Sequence, residues 1–120
     1  MEPKEYDIEF VRGDTCPFIF TAKDGNGNPL DVDDLTNFNM YFTVKNNYNE
    51  QNAIIQKTYL GGTIVKDGTS FKLIILPEDT ENLNYGRYVY DVSIKSQDFK
   101  ATILRGEVNL THEVTFAVNE

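Results

Sequence analysis

The chain has 120 residues, 40% of them hydrophobic and 25% charged, which is enough to bury one core and too short for a second of comparable size. Nineteen acidic residues against eleven basic ones give a formal net charge of −8 at pH 7, a sign that repels nucleic-acid phosphates and anionic lipid headgroups. A single cysteine, Cys16, excludes an internal disulfide and suits a reducing compartment.

The N-terminal residues Met1 to Glu5 are charged, and no long apolar stretch follows them. The longest aliphatic run, Leu73 to Leu76, is far too short to cross a bilayer, so neither an export signal nor a membrane span is expected. Ile8 and Phe10 alternate with Asp7 and Glu9, and Phe18, Phe20 and Ala22 resume the inward pattern after Arg12 to Thr15. This predicts two short strands joined at a kink. Lys23 to Leu30 is dense in Gly, Asn and Pro and predicts a loop or hairpin tip, with a single helical turn at 31–36. Phe38, Met40, Phe42 and Val44 share one parity and form the next half-buried strand, followed by a polar loop from Asn46 to Gln51.

A weaker strand is expected within Ala53 to Leu60, a very short one at Thr63 to Val65, and another carrying Phe71, Leu73 and Ile75. Pro77-Glu-Asp-Thr80 then makes a polar corner before Gly86, and Tyr88, Tyr90, Val92 and Ile94 alternate strictly with Arg87, Asp91, Ser93 and Lys95. The corner and its Tyr-rich strand match the turn of immunoglobulin-type domains in which a tyrosine hydroxyl bonds back to the preceding turn. In the last and longest strand Thr102, Leu104, Val108, Leu110, Val114 and Phe116 share one parity, with Gly106 on the inward face predicting a bulge or bend. Short strands with turn signals between them, and no long amphipathic helix, predict one all-β, immunoglobulin-like antiparallel β-sandwich over residues 1–120.

Several constellations carry possible chemistry. Arg12-Gly13-Asp14 spells an integrin-binding tripeptide, but closely flanking strand residues favour a glycine-permitted kink. Asp24, Asn26 and Asn28, with Asp31, Asp33 or Asp34 beyond them, place oxygen ligands at the spacing of a calcium loop. Pro29 and Leu35 stand where an EF-hand needs its glycine and its bidentate glutamate, so a turn is the stronger reading. A nucleophile–base couple would have to use Cys16 and His112, the only residues of their kinds. Nothing basic adjoins Cys16, and His112 keeps phase with Val108 and Leu110, so both are read as structural. No phosphate loop, metal quartet or catalytic pair emerges, and the chain is expected to be neither an enzyme nor a cofactor protein. Tyr41, Tyr48, Tyr59 and Tyr85 are the candidates for exposed aromatic contacts, either at a protein interface or against sugars, the latter weakened by the absence of Trp.

The run Phe10-Val-Arg-Gly-Asp-Thr15, then Phe18-Ile-Phe20, Lys23-Asp-Gly25 and Asn28-Pro-Leu-Asp31, resembles the opening of short immunoglobulin-like proteins encoded in phage and prophage tail modules. It is also similar to the N-terminal domain of upper baseplate proteins of long-tailed phages infecting Gram-positive bacteria. Phe42 to Lys45, Ile55 to Lys57, the Pro77 corner and Gly86 to Asp91 continue the likeness over most of the chain. The resemblance implies a non-enzymatic virion component, made in the bacterial cytoplasm and located in the tail or baseplate, whose partners are other tail or baseplate proteins. Ending at Glu120 without a helical stem or host-recognition domain, the chain is expected to be an accessory or adaptor module, in which homo-oligomerisation is possible and not implied. The competing expectation is a carbohydrate-binding or cell-surface adhesion module of the same fold.

Overall fold

The computed structural model describes residues 3–23, 27–29, 37–97 and 99–112. The expected helical turn at 31–36 and the continuation of the last strand through Val114 and Phe116 lie outside the described residues. The elements run β1 (Lys4–Glu5), β2 (Ile8–Val11), β3 (Cys16–Thr21), β4 (Asn39–Lys45), β5 (Ile55–Thr58), β6 (Ile64–Asp67), β7 (Ser70–Ile75), α1 (Pro77–Thr80), β8 (Gly86–Lys95) and β9 (Lys100–Thr111). They form an immunoglobulin-like β-sandwich. The larger sheet has the order β1-β9-β8-β4-β5, with β2 also on β9, and the smaller one has the order β3-β7-β6. The ladders are antiparallel except at β1 and β2, which both run parallel to β9 and so pair the start of the chain with its end.

Alternation dictates the core. Met40, Phe42 and Val44 from β4 and Tyr88, Tyr90, Val92 and Ile94 from β8 face Phe71, Leu73 and Ile75 from β7, all of them buried. Tyr90 is two residues past the corner tyrosine Tyr88, the place where antibody-type domains carry the second cysteine of their inter-sheet disulfide. Here aromatic packing bridges the sheets instead. The Phe18 ring meets Tyr90 edge-on at 6.3 Å and Phe42 at 6.1 Å, and Phe42 lies 5.5 Å from Tyr90.

The Arg12 to Thr15 kink is the crossing from one sheet to the other. Gly13 takes a φ of 84°, which a side chain disfavours, and its N–H donates to the Thr80 hydroxyl at 2.8 Å. Arg12 donates to the Leu83 carbonyl at 3.2 Å, so the tripeptide is tied to the corner at both its first and second residues. At that corner Leu76 N–H donates to the Asp79 carboxylate at 2.8 Å, closing a helical turn, and Tyr88 donates its hydroxyl to the Asn84 carbonyl at 2.7 Å. The expected tyrosine link is therefore present.

Two expectations for the last strand are corrected. Gly106 does not bulge; it pairs in register with Tyr90, and its missing side chain makes room for the Tyr6–Asp7 link between β1 and β2. A Cβ there would fall onto the Tyr6 carbonyl and within 2.9 Å of the Asp7 carboxylate. Through that gap the Tyr6 carbonyl accepts the Tyr90 hydroxyl at 2.5 Å, while Asp7 accepts the Glu107 N–H at 3.0 Å. The register shift lies instead where Val92 and Ser93 oppose Leu104 and Thr102, leaving Ile103 as the extra residue. Ile103 and Leu104 are consequently both buried, and Thr102, expected inward, falls opposite outward-facing Ser93.

Candidate docking surfaces

The four candidate tyrosines occupy different parts of the sandwich. Tyr41 is half-buried on the outer face of the larger sheet, opposite Thr58 and Ser93. Tyr48, in the loop after β4, is 67% exposed. Tyr59 turns its ring into the core edge, 5.2 Å from Phe38 and 6.2 Å from Phe71. Tyr85 is half-buried at the far corner, with the Arg12 guanidinium 4.3 Å above its ring and the His112 imidazole 3.6 Å from it. His112 thus lies beyond the end of β9 as an exposed stacking residue, a correction to the strand position in phase with Val108 and Leu110 expected from the sequence.

Cys16 begins β3 and packs against the core. Burial pushes its thiol above the ordinary value, which disfavours the thiolate a nucleophile needs. No contact joins it to His112. Among the described residues no three His, Cys, Asp or Glu side chains are grouped to hold a metal ion. Of the calcium candidates, Asn28 is described and exposed, whereas Asp24, Asn26 and Asp31 lie outside the described residues. No helix among the described residues is long and apolar enough to cross a membrane.

The larger sheet presents a polar outer face. Register aligns Gln56, Thr43, Asp91, Arg105 and Glu5 across five adjacent strands. Gln56 donates to Thr43 at 3.3 Å and Arg105 pairs with Glu5 at 3.4 Å. Burial pushes the Asp91 carboxyl above its ordinary value, and Lys45 and Lys100 draw it part of the way back. Beside it, Tyr48 and Phe99 line a shallow hollow of about 490 Å³.

The smaller sheet presents the opposite character. Across its outer face Ile19, Lys72 and Val65 stand in one row and Pro17 and Ile74 in the next, with Leu76 following at the strand end. Ile19 is 63% exposed and Val65 58%, while Ile74 and Leu76 are also exposed. One lysine interrupts an otherwise apolar strip. None of the four candidate tyrosines lies on this face, although its signal is in the sequence: Cys16 to Phe20 and Leu73 to Leu76 are apolar at both parities, and a strand with one wet face is not.

No family model matches the chain, and no curated protein matches it.

Proposed function

We propose that this chain is a non-enzymatic docking module of a phage or prophage tail or baseplate, held among other tail proteins by protein–protein contact. The order of motifs from Phe10 to Asp91 supports the tail assignment. The observation that carries the docking reading is the outer face of β3-β7-β6, where Ile19, Val65, Ile74 and Leu76 are exposed around Lys72. A contiguous apolar strip on a chain of net charge −8 gains free energy when a partner covers it.

Pull-down from a lysate of phage-infected bacteria tests the reading. The chain is expected to retain tail or baseplate proteins, and the Val65→Glu, Ile74→Glu double variant to lose at least about tenfold of that capture, some 1.4 kcal/mol. Both side chains are solvent-facing, so the urea midpoint of the variant should stay close to that of the parent. Retention of no tail component by the parent chain would sink the assignment. A carbohydrate-binding reading has one observation in its favour, the half-buried Asp91 carboxylate beside exposed Tyr48 and Phe99. Binding on a glycan array that Asp91→Asn abolishes would favour it over docking.

A further inference from the structure

Among the described residues β3 has a strand partner on one side only, β7. In constant-type immunoglobulin sandwiches the first strand covers that edge, but here β1 and β2 both join β9 in the opposite sheet. Between the open edge of β3 and the β1–β9 edge runs a groove of about 880 Å³. Phe18 and Phe20 line it from one sheet and Ile103 and Leu104 from the other, with the Tyr6 ring stacked 6.2 Å from Phe18. The bulge that turns Ile103 and Leu104 inward together therefore supplies its second apolar wall.

The backbone along this edge is oriented for pairing. Pro17 pairs with Ile74 and has no N–H to give, so it occupies a position at which the β7 ladder needs none. By alternation Ile19 and Thr21 also direct their N–H and C=O groups away from β7. The Thr21 and Ser70 hydroxyls, 3.4 Å apart on directly opposed residues, fit the closer spacing of such non-hydrogen-bonded pairs. Among the described residues the charged side chains lining the groove are Lys4 and Lys23, both basic in a chain of net charge −8.

We infer that the groove receives an extended segment of a partner protein, which adds as a strand to β3, sets alternate apolar side chains between Phe18, Phe20, Ile103 and Leu104, and meets Lys4 and Lys23 with carboxylates. The inference rests on the reading of the chain as a docking module. A second copy fits poorly. Its own β3 carries no carboxylate, self-pairing would bring two donor-less prolines, one from each copy, into the shared ladder where a partner segment meets one, and two copies bring −8 against −8.

Amide hydrogen exchange of the full chain, followed by NMR with and without acetylated peptides of the form Glu-Xaa-Thr-Xaa-Thr-Xaa-Glu, tests it, with Xaa as Val, Leu or Phe. At least one peptide is expected to slow exchange at Ile19 and Thr21 by about tenfold or more, with much smaller changes at Phe18 and Phe20, whose amides face β7. Lys4→Glu combined with Lys23→Glu should weaken that peptide by at least about tenfold. Failure of all three peptides to protect the β3 edge would overturn the inference. So would protection that appears without peptide as concentration rises, which would identify a second copy as the occupant. Protection confined to the Val65 and Ile74 face would overturn strand addition while leaving a docking module. A peptide-protected β3 edge in a chain that captures no tail protein would keep the groove and remove the tail assignment.

Discussion

The hydroxyl of Tyr90 reaches from the middle of β8 to the Tyr6 carbonyl at the point where Gly106 lets the link between β1 and β2 cross over the last strand. Its ring packs against Phe18 and Phe42 at the same time, so one side chain joins the two sheets and anchors the N-terminal strand. Tyr90→Phe keeps the ring and leaves the Tyr6 carbonyl without its donor, a loss of about 1–3 kcal/mol. Burial pushes the Tyr90 pKa above its ordinary 10.0, with the charges of Asp7 and Tyr6 adding to the shift. The unfolded chain therefore gives up this proton at lower pH than the folded one, and the stabilisation, complete below pH 10.0, drains away as pH rises beyond it. Cys16, raised by burial from 9.0, begins the same trend about one unit lower, so the comparison belongs in a Cys16→Ser background. Urea midpoints measured from pH 8 to 11 should fall more steeply with Tyr90 than with Phe in its place; parallel profiles would contradict this account.

The corner α1 fixes how the two sheets meet. Lys57, buried on the inward parity of β5, extends its amine to the Asp79 carboxylate at 2.7 Å, and the same oxygen accepts the Leu76 N–H. Lys57→Met keeps most of the stem's packing and strips the carboxylate of its counter-charge. Asp79 retains the Leu76 donor and some solvent, so the expected loss is about 2 kcal/mol, below the 3–5 typical of a fully buried pair. A double-mutant cycle with Asp79→Asn should return a coupling above about 0.5 kcal/mol, and simple additivity would mean the pair contributes little. This element also marks how far the sequence was legible. Strict alternation in β4, β7 and β8 announced their faces, and the Pro77 corner and its tyrosine bond followed from turn chemistry. Lys57 defied hydropathy because its charge is neutralised by a residue 22 positions away, a tertiary fact with no local signal. Gly106 carries a signal with more than one cause, since a bulge and a close backbone crossing both call for glycine, and here the crossing accounts for it. The open β3 edge was hidden because Ile8 and Phe10 alternate identically whichever sheet they join.

At the scale of the whole molecule, the fold closes by pairing residues almost a full chain length apart. Glu107 and Asp7 are 100 positions apart, and Tyr90 and Tyr6 are 84. Loop-closure entropy opposes such contacts until much of the core exists, and with one cysteine no disulfide shortens the loops. The β4, β8 and β9 ladders involve shorter separations and bury Phe42, Tyr90 and Val92, so they are the expected first structure, with β2 docking on β9 late. Two truncations of similar size distinguish this order from a concerted collapse. Val92→Ala, in the centre of β8, should slow folding, whereas Ile8→Ala, in β2, should leave the folding rate nearly unchanged and accelerate unfolding. Each is expected to remove about 2 kcal/mol, large enough to partition between the two rates. Stopped-flow relaxation should fall in the millisecond-to-second range of all-β topologies, with or without reductant. If Ile8→Ala slowed folding as much as Val92→Ala, β2 would belong to the nucleus, and its parallel closure on β9 would organise the sandwich rather than complete it.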